Sequence, residues 1–245
     1  MPVEIFDDLQ AEQVQLENLL ADLTESQWAS ASDAPGWSVT DVVIHLAQTE
    51  ELVTATLTTG QRGETWDRGV RPLDDVVDEV VRADRAPAAD VFDRWRRARR
   101  TALDSLRRAD PDKRVPWAAT PLRPAVLATT RLAEHWAHGL DITAPLQLPF
   151  PDTERLRHIA WLGHRTLPYA FAVAGLPAHD VYCELTGPDG SVWTYGPADA
   201  DAAIRGSAGE FCRVGARRLA PEASQLTASG PHAAEALRVL RNYAA

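Results

Sequence analysis

The first half of the chain repeats apolar residues at the three- and four-residue spacing of amphipathic helices. This pattern predicts four helices, over residues 3–24, 39–59, 87–108 and 122–141. Ser38, with Asp41 three residues later, forms a near capping box at the start of the second helix. Gly60 and Gly63 are expected to end that helix, and Pro145 to stop the fourth. Four helices joined by loops predict a helical bundle.

The second half of the chain has a different pattern of apolar, polar and proline residues. The proline-rich stretch 144–152 predicts a linker, which divides the chain into domains at 1–147 and 148–245. Alternating residues at 181–186 and 191–195, separated by the turn GPDG, predict a β-hairpin. Three more helices and a further strand complete a small α+β unit; they are predicted at 153–174, 207–219, 231–243 and 225–228. The expected fold is therefore mainly α with an α+β tail.

Within the fourth predicted helix, the polar residues keep the spacing that normally belongs to the core. Arg131, Glu134, His138 and Asp141 are separated by three, four and three residues. Burying four such groups without partners would cost several kcal/mol. A bound metal ion whose ligands are held by further hydrogen bonds would compensate that cost.

A candidate set of ligands for such an ion follows from the spacing. Glu134 and His138 lie one turn apart on one helix face, and His45 lies on the inward face of the second helix. Two histidines and one carboxylate hold Zn²⁺ in many catalytic sites, and they also hold Fe²⁺ or other divalent ions. Asp141 would orient the His138 imidazole, and Arg131 would fix the Glu134 carboxylate or meet an anionic substrate.

Ordinary structural roles compete with this interpretation. A single inward histidine such as His45 is commonly a core residue with a hydrogen-bond partner, and an isolated pair such as Glu134 and His138 commonly lies on a helix surface. His135 is rotated by roughly 100° from Glu134 on the helix and should miss the ion, which leaves it near the site or at the surface.

The spacing of the other histidines and of both cysteines does not indicate a second metal or catalytic site. His158 and His164 are expected at the surface or in the core. Cys183 and Cys212 have no short spacing and no neighbouring histidine, so we expect small buried hydrophobic residues. The chain also lacks a glycine-rich phosphate loop and a GxSxG motif, which argues against an NTPase, a dehydrogenase or a serine hydrolase.

Charge and hydropathy narrow the expected partners and compartment. A net charge of −10 argues against a nucleic-acid partner. The basic run 94–100 is expected to be a solvated helix face. The acidic N-terminus shows no signal peptide, no apolar run is long enough to cross a membrane, and two cysteines fit a reducing compartment. We therefore expect a cytoplasmic protein without a membrane partner.

Several segments together resemble one known family. GWSVTDVVIHLA (36–47), RLAEHWAHGLDI (131–142) and the small α+β tail look like the mycothiol-dependent maleylpyruvate isomerases, actinobacterial relatives of the DinB four-helix bundles. The segments 155–166, 184–197 and 206–212 bring the chain closest to a branch known only as metal-binding proteins. The resemblance implies a DinB-like bundle followed by a sterol-carrier-like domain.

The resemblance also implies site residues. The metal ligands of the family fall on His45, Glu134 and His138. An arginine of the second domain holds the substrate carboxylate in the isomerases; Arg218, next to Arg217, is the nearest counterpart here. The family implies a divalent metal, which we expect to be Zn²⁺ and which lowers the pKa of mycothiol. It also implies a thiolate that adds to the double bond of the substrate, so that rotation about the resulting single bond gives the other geometric isomer.

Three functional hypotheses remain open from the sequence. The first is a metal-dependent enzyme that uses mycothiol for isomerisation or S-transfer on a small unsaturated or electrophilic acid. The second is a thiol-independent metal hydrolase, lyase or cyclase, and the third is a non-catalytic metal- or small-molecule-binding module. In each case the partners are small molecules, and the protein is expected to be a monomer or a homodimer.

Overall fold

The structure, a computed structural model, describes residues 4–61, 73–117 and 120–243. It divides into two compact units, one ending at Phe150 and the other beginning at Pro151. Within its described residues, the first unit contains α1 (Glu4–Ala21), α2 (Glu25–Ala29), α3 (Val39–Thr59), α4 (Leu73–Ala83), α5 (Ala88–Arg108) and α6 (Pro124–Leu146).

The second unit combines short helices with a sheet. Its elements are α7 (Leu156–Arg165), α8 (Leu167–Val173), β1 (Val181–Thr186), β2 (Val192–Tyr195), β3 (Ala202–Ser207), α9 (Ala208–Gly215), β4 (Thr227–Ser229) and α10 (Ala233–Val239). The prediction of a mainly helical fold with an α+β tail is confirmed. Over the described residues, none of the helices combines the length and apolar character that crossing a membrane requires.

The four long helices α1, α3, α5 and α6 form the bundle. α3 packs most extensively against α5, and α1 against α6. Their inward apolar side chains are fully buried, including Leu16, Ile44, Leu46 and Trp95. Burial of each such side chain contributes roughly 1.5–3 kcal/mol, so this core holds α3 and α6 at fixed positions.

A buried cap holds the start of α3. The Ser38 hydroxyl accepts a hydrogen bond from the Asp41 backbone N–H at 3.2 Å, and Asp41 Oδ2 accepts one from the Ser38 backbone N–H at 2.9 Å. Arg85 donates from Nε and Nη2 to the two Asp41 oxygens at 2.8 and 2.9 Å. The predicted capping box is confirmed. Gly60, in the left-handed region at φ 70°, ends the helix, and Gly63 lies outside the described residues.

Pro145 does not stop α6, and that prediction is wrong. The helix continues to Leu146 and ends at Gln147, whose φ is 54°. A proline lacks the N–H that would bond the carbonyl four residues earlier, which here is that of Asp141. The backbone N–H of Asp33 donates to this carbonyl at 2.9 Å instead. A loop from outside the helix thus supplies the hydrogen bond that Pro145 cannot make.

The sheet of the second unit has the strand order β2-β1-β3-β4. β1 pairs antiparallel with β2, with Cys183 opposite Tyr195, so the predicted hairpin is confirmed. β3 was not predicted; it pairs parallel with β1 and antiparallel with β4. Its sequence, AAIRGS, is short and rich in small residues, and only the neighbouring strands make it a strand.

Several helices differ from their predicted extents. The helix predicted at 153–174 is divided into α7 and α8, because Pro168 cannot donate to His164 and the chain turns at Thr166. The helix predicted at 207–219 ends at Gly215, since Arg217 adopts a left-handed φ of 63°. Short α2 and α4 were both missed; in α4 the paired valines of VVDEVV were the available signal.

The basic run on α5 is only partly a solvated face. Arg97 and Arg100 are exposed, as predicted. Arg99 is only 5% exposed; it pairs with Glu17 and lies over the Trp95 ring at 5.2 Å. Arg99 shares the inward face of the helix with Trp95, which helical spacing alone could have shown.

We expect the Asp41 carboxylate to stabilise the fold in a pH-dependent manner. Burial alone would raise the pKa of Asp41, but the bonds from Arg85 and Ser38 lower it below the ordinary value of 3.8. The contribution is therefore full above the unfolded-state pKa and is lost as the pH falls through the lower folded-state pKa. Asp41→Asn should reduce the free energy of unfolding by about 1–2 kcal/mol at neutral pH.

Urea unfolding at neutral pH and near pH 3 measures this effect. The difference between wild type and Asp41→Asn should shrink at the lower pH. Asp104→Asn, at an exposed position of α5, is the control and should change little at either pH. A difference for Asp41→Asn that does not vary with pH would contradict the assignment.

Candidate metal centre

The bundle brings His45 of α3 next to Glu134 and His138 of α6. Glu134 Oε2 lies 3.7 Å from His45 Nε2 and 3.5 Å from His138 Nε2. One ligand atom from each of the three residues lies within 4.8 Å of the others. His45 lies about ninety residues before Glu134 and His138 in the sequence, and the three side chains therefore converge on one point only in the folded bundle.

The spacing of the three atoms fits ligands of one ion. Two ligands bonded to zinc at 2.0–2.2 Å in a tetrahedral arrangement lie about 3.4 Å apart. The separations of 3.5 and 3.7 Å are close to that value and are long for direct hydrogen bonds. The side chain of Glu134 is 31% exposed, whereas those of His45 and His138 are 11% exposed. The site is thus reached from solvent on the side of the carboxylate.

Asp141 sets the orientation of the His138 imidazole. Its Oδ2 lies 2.9 Å from His138 Nδ1, and Asp141 itself is 2% exposed. Because an ionised carboxylate only accepts hydrogen bonds, Nδ1 carries a proton, and in the neutral ring Nε2, on the side of Glu134, is the nitrogen that can bind an ion. This is the arrangement that commonly supports a metal-binding histidine.

The electrostatics of the three groups suit a cation. Burial would raise the pKa of Glu134, but the His138 and His45 imidazoles hold it well below its usual range, so this carboxylate is an anion. Burial lowers the pKa of His45, which keeps that imidazole neutral, although Glu134 opposes the shift. Burial also opposes protonation of His138, but Asp141 and Glu134 raise its pKa. One anion between two imidazoles is a donor set that fits a divalent ion.

Arg131 does not bind the Glu134 carboxylate. It is 2% exposed, and it donates from Nε to Glu50 Oε1 at 2.9 Å and from Nη2 to Thr49 Oγ1 at 2.6 Å. Its guanidinium is therefore occupied inside the bundle, one turn before the three converging side chains. The expectation that it fixes Glu134 is corrected to an ion pair with Glu50, since Glu50 is the buried carboxylate within its reach.

Glu50 was missed by the sequence analysis. It is 0% exposed, and burial raises its pKa although Arg131 opposes the shift. Among the described residues, none donates a hydrogen bond to its second oxygen, Oε2. Its sequence neighbour Glu51 is exposed. Because the two glutamates are adjacent in the second predicted helix, the sequence did not show which of them faces inward.

His135 belongs to the same buried layer and not to the surface. Its Nδ1 lies 2.8 Å from the Arg131 carbonyl, and its Nε2 accepts a hydrogen bond from Trp95 Nε1 at 3.2 Å. Burial, with the nearby Arg131, lowers the pKa of His135 to about 3, so the ring is neutral. The alternative surface position is wrong, and the ring has partners for both nitrogens.

Arg218 lies in the second unit, immediately after α9. It is exposed, and its Nη1 lies 2.5 Å from the Ala216 carbonyl. The guanidinium is therefore folded back against its own backbone. Its role in holding a substrate carboxylate stays a prediction.

The cysteines are buried, as predicted. Cys183 in β1 and Cys212 in α9 are 0% and 1% exposed, and both are free thiols. Burial raises the pKa of Cys183 to about 12 and that of Cys212 well above its ordinary value. Neither thiol is therefore an available nucleophile at neutral pH. His158, also left between surface and core, is buried at 1% exposed.

We expect the Glu50–Arg131 pair to be strongly coupled. Arg131→Met or Glu50→Leu alone should lower the free energy of unfolding by about 3–5 kcal/mol, because each leaves a buried charge without its partner. The double variant should lose markedly less than the sum, and urea unfolding measures all four proteins. The exposed pair Arg94–Glu51, at 2.8 Å, is the control, with less than about 1 kcal/mol of coupling. Additive losses at Glu50 and Arg131 would contradict the coupling.

Known proteins share both the sequence and the fold of this chain. Residues 9–143 match the family described as mycothiol maleylpyruvate isomerase N-terminal domain. An uncharacterised protein of Mycobacterium tuberculosis strain H37Rv is 35% identical over 241 residues, which cover 97% of this chain and 94% of the relative. A protein of strain CDC 1551, also uncharacterised, gives the same values.

Two crystal structures show the same fold at low identity. They are the mycothiol-dependent maleylpyruvate isomerase and a histidine-to-alanine mutant of it, each with a TM-score of 0.62 over 92% of both chains. Their identities of 16% and 15% establish likeness of fold alone. The sequence match spans more than half of the chain, and a relative at 35% identity spans nearly all of it. The protein therefore belongs to the mycothiol maleylpyruvate isomerase N-terminal domain family.

Proposed function

We propose that this protein is a divalent-metal-dependent enzyme that uses mycothiol for isomerisation or S-transfer on a small unsaturated or electrophilic acid. The observation that carries the proposal is the convergence of His45, Glu134 and His138, whose ligand atoms lie within 4.8 Å of one another. Membership of the family supports the thiol, and the donor set supports Zn²⁺ as the ion.

We assign each residue of the site a different role in holding the ion. Glu134 supplies the negative charge, and the neutral His45 imidazole supplies a lone pair. Asp141 keeps the proton of His138 on Nδ1, which leaves Nε2 for the ion. A bound divalent ion would lower the pKa of a thiol that binds to it, so that the thiolate is available at neutral pH.

The surroundings of the site suit a small-molecule reaction. His45 and His138 are enclosed by the bundle, and the partly exposed Glu134 marks the side from which a thiol or a substrate can approach. Three protein ligands leave at least one position for such a molecule in four-coordinate zinc. A purely structural zinc site would instead be closed by a fourth protein ligand.

Two arginines enter the proposal in different roles. Arg218 is proposed to meet the carboxylate of the substrate, which is the role that the family resemblance implies for it. Arg131 is proposed to act through its charge, since its position beside the site favours the ionised form of Glu134. Its hydrogen bonds to Glu50 and Thr49 leave it a positioning role inside the bundle.

We expect the purified protein to retain about one divalent ion per chain. His45→Ala and Glu134→Ala should each weaken zinc binding by more than about a hundredfold, and Asp141→Asn by about ten- to a hundredfold. Metal analysis after dialysis and competition with a chelating dye measure both quantities. His232→Ala, at an exposed histidine of the second unit, is the control and should bind like wild type. Equal metal content in all of these proteins would refute the site.

We expect turnover to require both mycothiol and metal. Geometric isomerisation of maleylpyruvate, or consumption of an electrophilic acid, should be followed with and without the thiol. Removal of metal by a chelator should abolish the reaction, and zinc should restore it. Arg218→Ala should raise KM for the acid, while Arg217→Ala serves as its neighbouring control.

Two other results would redirect the assignment. Activity that persists without thiol and disappears with a chelator would favour a metal hydrolase, lyase or cyclase. A bound metal that admits no exogenous ligand, with no turnover of any acid tested, would favour a non-catalytic binding module. Either result would contradict the thiol part of the proposal.

A further inference from the structure

An aromatic side chain that the sequence analysis did not single out lies against both imidazoles of the site. The indole of Trp37 has its centroid 5.2 Å from the His45 ring and 6.4 Å from the His138 ring. It is tilted by 49° to the first and stacked at 26° on the second. The two imidazoles are 5.1 Å apart and nearly perpendicular, at 74°. The three rings thus form one packed group.

The loop before α3 presents Trp37 in a fixed position. The Trp37 carbonyl accepts hydrogen bonds from both the backbone N–H and the hydroxyl of Ser32, each at 2.9 Å, and its own N–H donates to Ala34 at 3.1 Å. Gly36, in the left-handed region at φ 80°, makes the tight turn possible. Residues Ala31 and Ser38 close the loop through an antiparallel bridge.

The same loop is tied to the helix that carries Glu134 and His138. Asp33 donates to the Asp141 carbonyl at 2.9 Å, the group left available by Pro145. Asp141 thus holds the His138 imidazole with its side chain and the Trp37 loop with its backbone. The position of the indole relative to His138 is therefore set by one residue of α6.

A hydrogen bond that the indole donates to α4 fixes its rotation. Trp37 Nε1 donates to Asp78 Oδ1 at 3.0 Å. Asp78 is in turn held by Arg82, whose Nη2 lies 2.8 Å from Asp78 Oδ2. The indole N–H is consequently engaged away from the imidazoles, and the ring meets them with its apolar surface alone.

We propose that Trp37 is a positioning residue for the metal site, which holds the His45 and His138 rings in their ligating orientation, and that Asp78 holds Trp37. The inference rests on the proposed metal-binding function of the three ligands. Without the indole, the His45 ring gains rotational freedom that must be lost again on binding an ion. The role is distinct from ligation, because Trp37 offers no atom that could bind the ion.

Cobalt binding to the whole protein tests this role directly. Co²⁺ reports both affinity, by titration, and coordination geometry, by its visible absorption. Trp37→Ala should weaken Co²⁺ binding by about tenfold and alter the absorption bands, because contacts between aromatic rings contribute on the scale of a tenfold change. Trp37→Phe keeps a ring and should recover a large part of both signals.

Variants of Asp78 and Trp28 complete the test. Asp78→Ala removes the acceptor and should reproduce the effect of Trp37→Phe, whereas Asp78→Asn keeps an acceptor oxygen and should resemble wild type. Asp78 is partly exposed, so these variants do not threaten the bundle core if Trp37→Ala fails to fold. Trp28→Phe changes a tryptophan of the same segment that packs on Phe92, and should leave the Co²⁺ spectrum unchanged.

The outcomes separate the two proposals. If wild type binds no Co²⁺, the metal site itself is refuted, and the role of Trp37 with it. If wild type binds Co²⁺ and folded Trp37→Ala shows the same affinity and spectrum, the role of Trp37 is refuted. If Asp78→Ala shows the same affinity and spectrum as wild type, the role of Asp78 in holding Trp37 is refuted. A weaker, altered site in these variants, with partial recovery in Trp37→Phe, supports it.

Discussion

Charged and imidazole side chains buried between α3 and α6 impose the main constraint on this bundle. An ionisable group removed from water destabilises the fold unless another group compensates it. The protein does so in two adjacent layers. In the first, Arg131 pairs with Glu50, and His135 bonds the Arg131 carbonyl and Trp95, so the layer is compensated by the protein itself.

The second layer is compensated differently. His45, Glu134 and His138 converge at separations longer than hydrogen bonds, with one anion between two imidazoles. This donor set fits a divalent ion, which is the compensation that we propose for the layer. The first layer also serves the second, since the buried Arg131 favours the ionised form of Glu134. The helix α6 therefore carries Arg131 of the structural ion pair and, about one and two turns further on, two of the three proposed metal ligands, while α3 carries Glu50 and His45.

Asp141 connects this chemistry to the fold. Its carboxylate orients His138, and its carbonyl holds the loop that presents Trp37. Pro145 has no backbone N–H, whereas another residue at this position would donate to the Asp141 carbonyl within the helix. The carbonyl therefore remains for the loop. A local interruption of helical bonding thus becomes an attachment point beside the site. In the second unit, by contrast, the buried cysteines have raised pKa values and contribute packing, to which Cys212 adds a hydrogen bond from its Sγ to a backbone carbonyl of α7 at 3.7 Å.

Much of the local structure was determined by the sequence alone. Periodicity located the long helices, Ser38 and Asp41 marked the start of α3, and alternation with GPDG located the hairpin. The three- and four-residue spacing also placed Glu134 and His138 on one face of one helix. These features depend on neighbours within a few residues, so a linear pattern records them.

Only the tertiary structure decided the partners of the buried groups. The sequence could not show that Arg131 meets Glu50, that the partner of Arg99 is Glu17, or that β3 is a strand. Nor could it show that Asp33 satisfies the carbonyl freed by Pro145, or that Trp37 reaches both imidazoles. Each of these contacts joins segments from different parts of the chain. Which groups meet is set by how the helices and strands pack, whereas the pattern along one element reports only which face is buried.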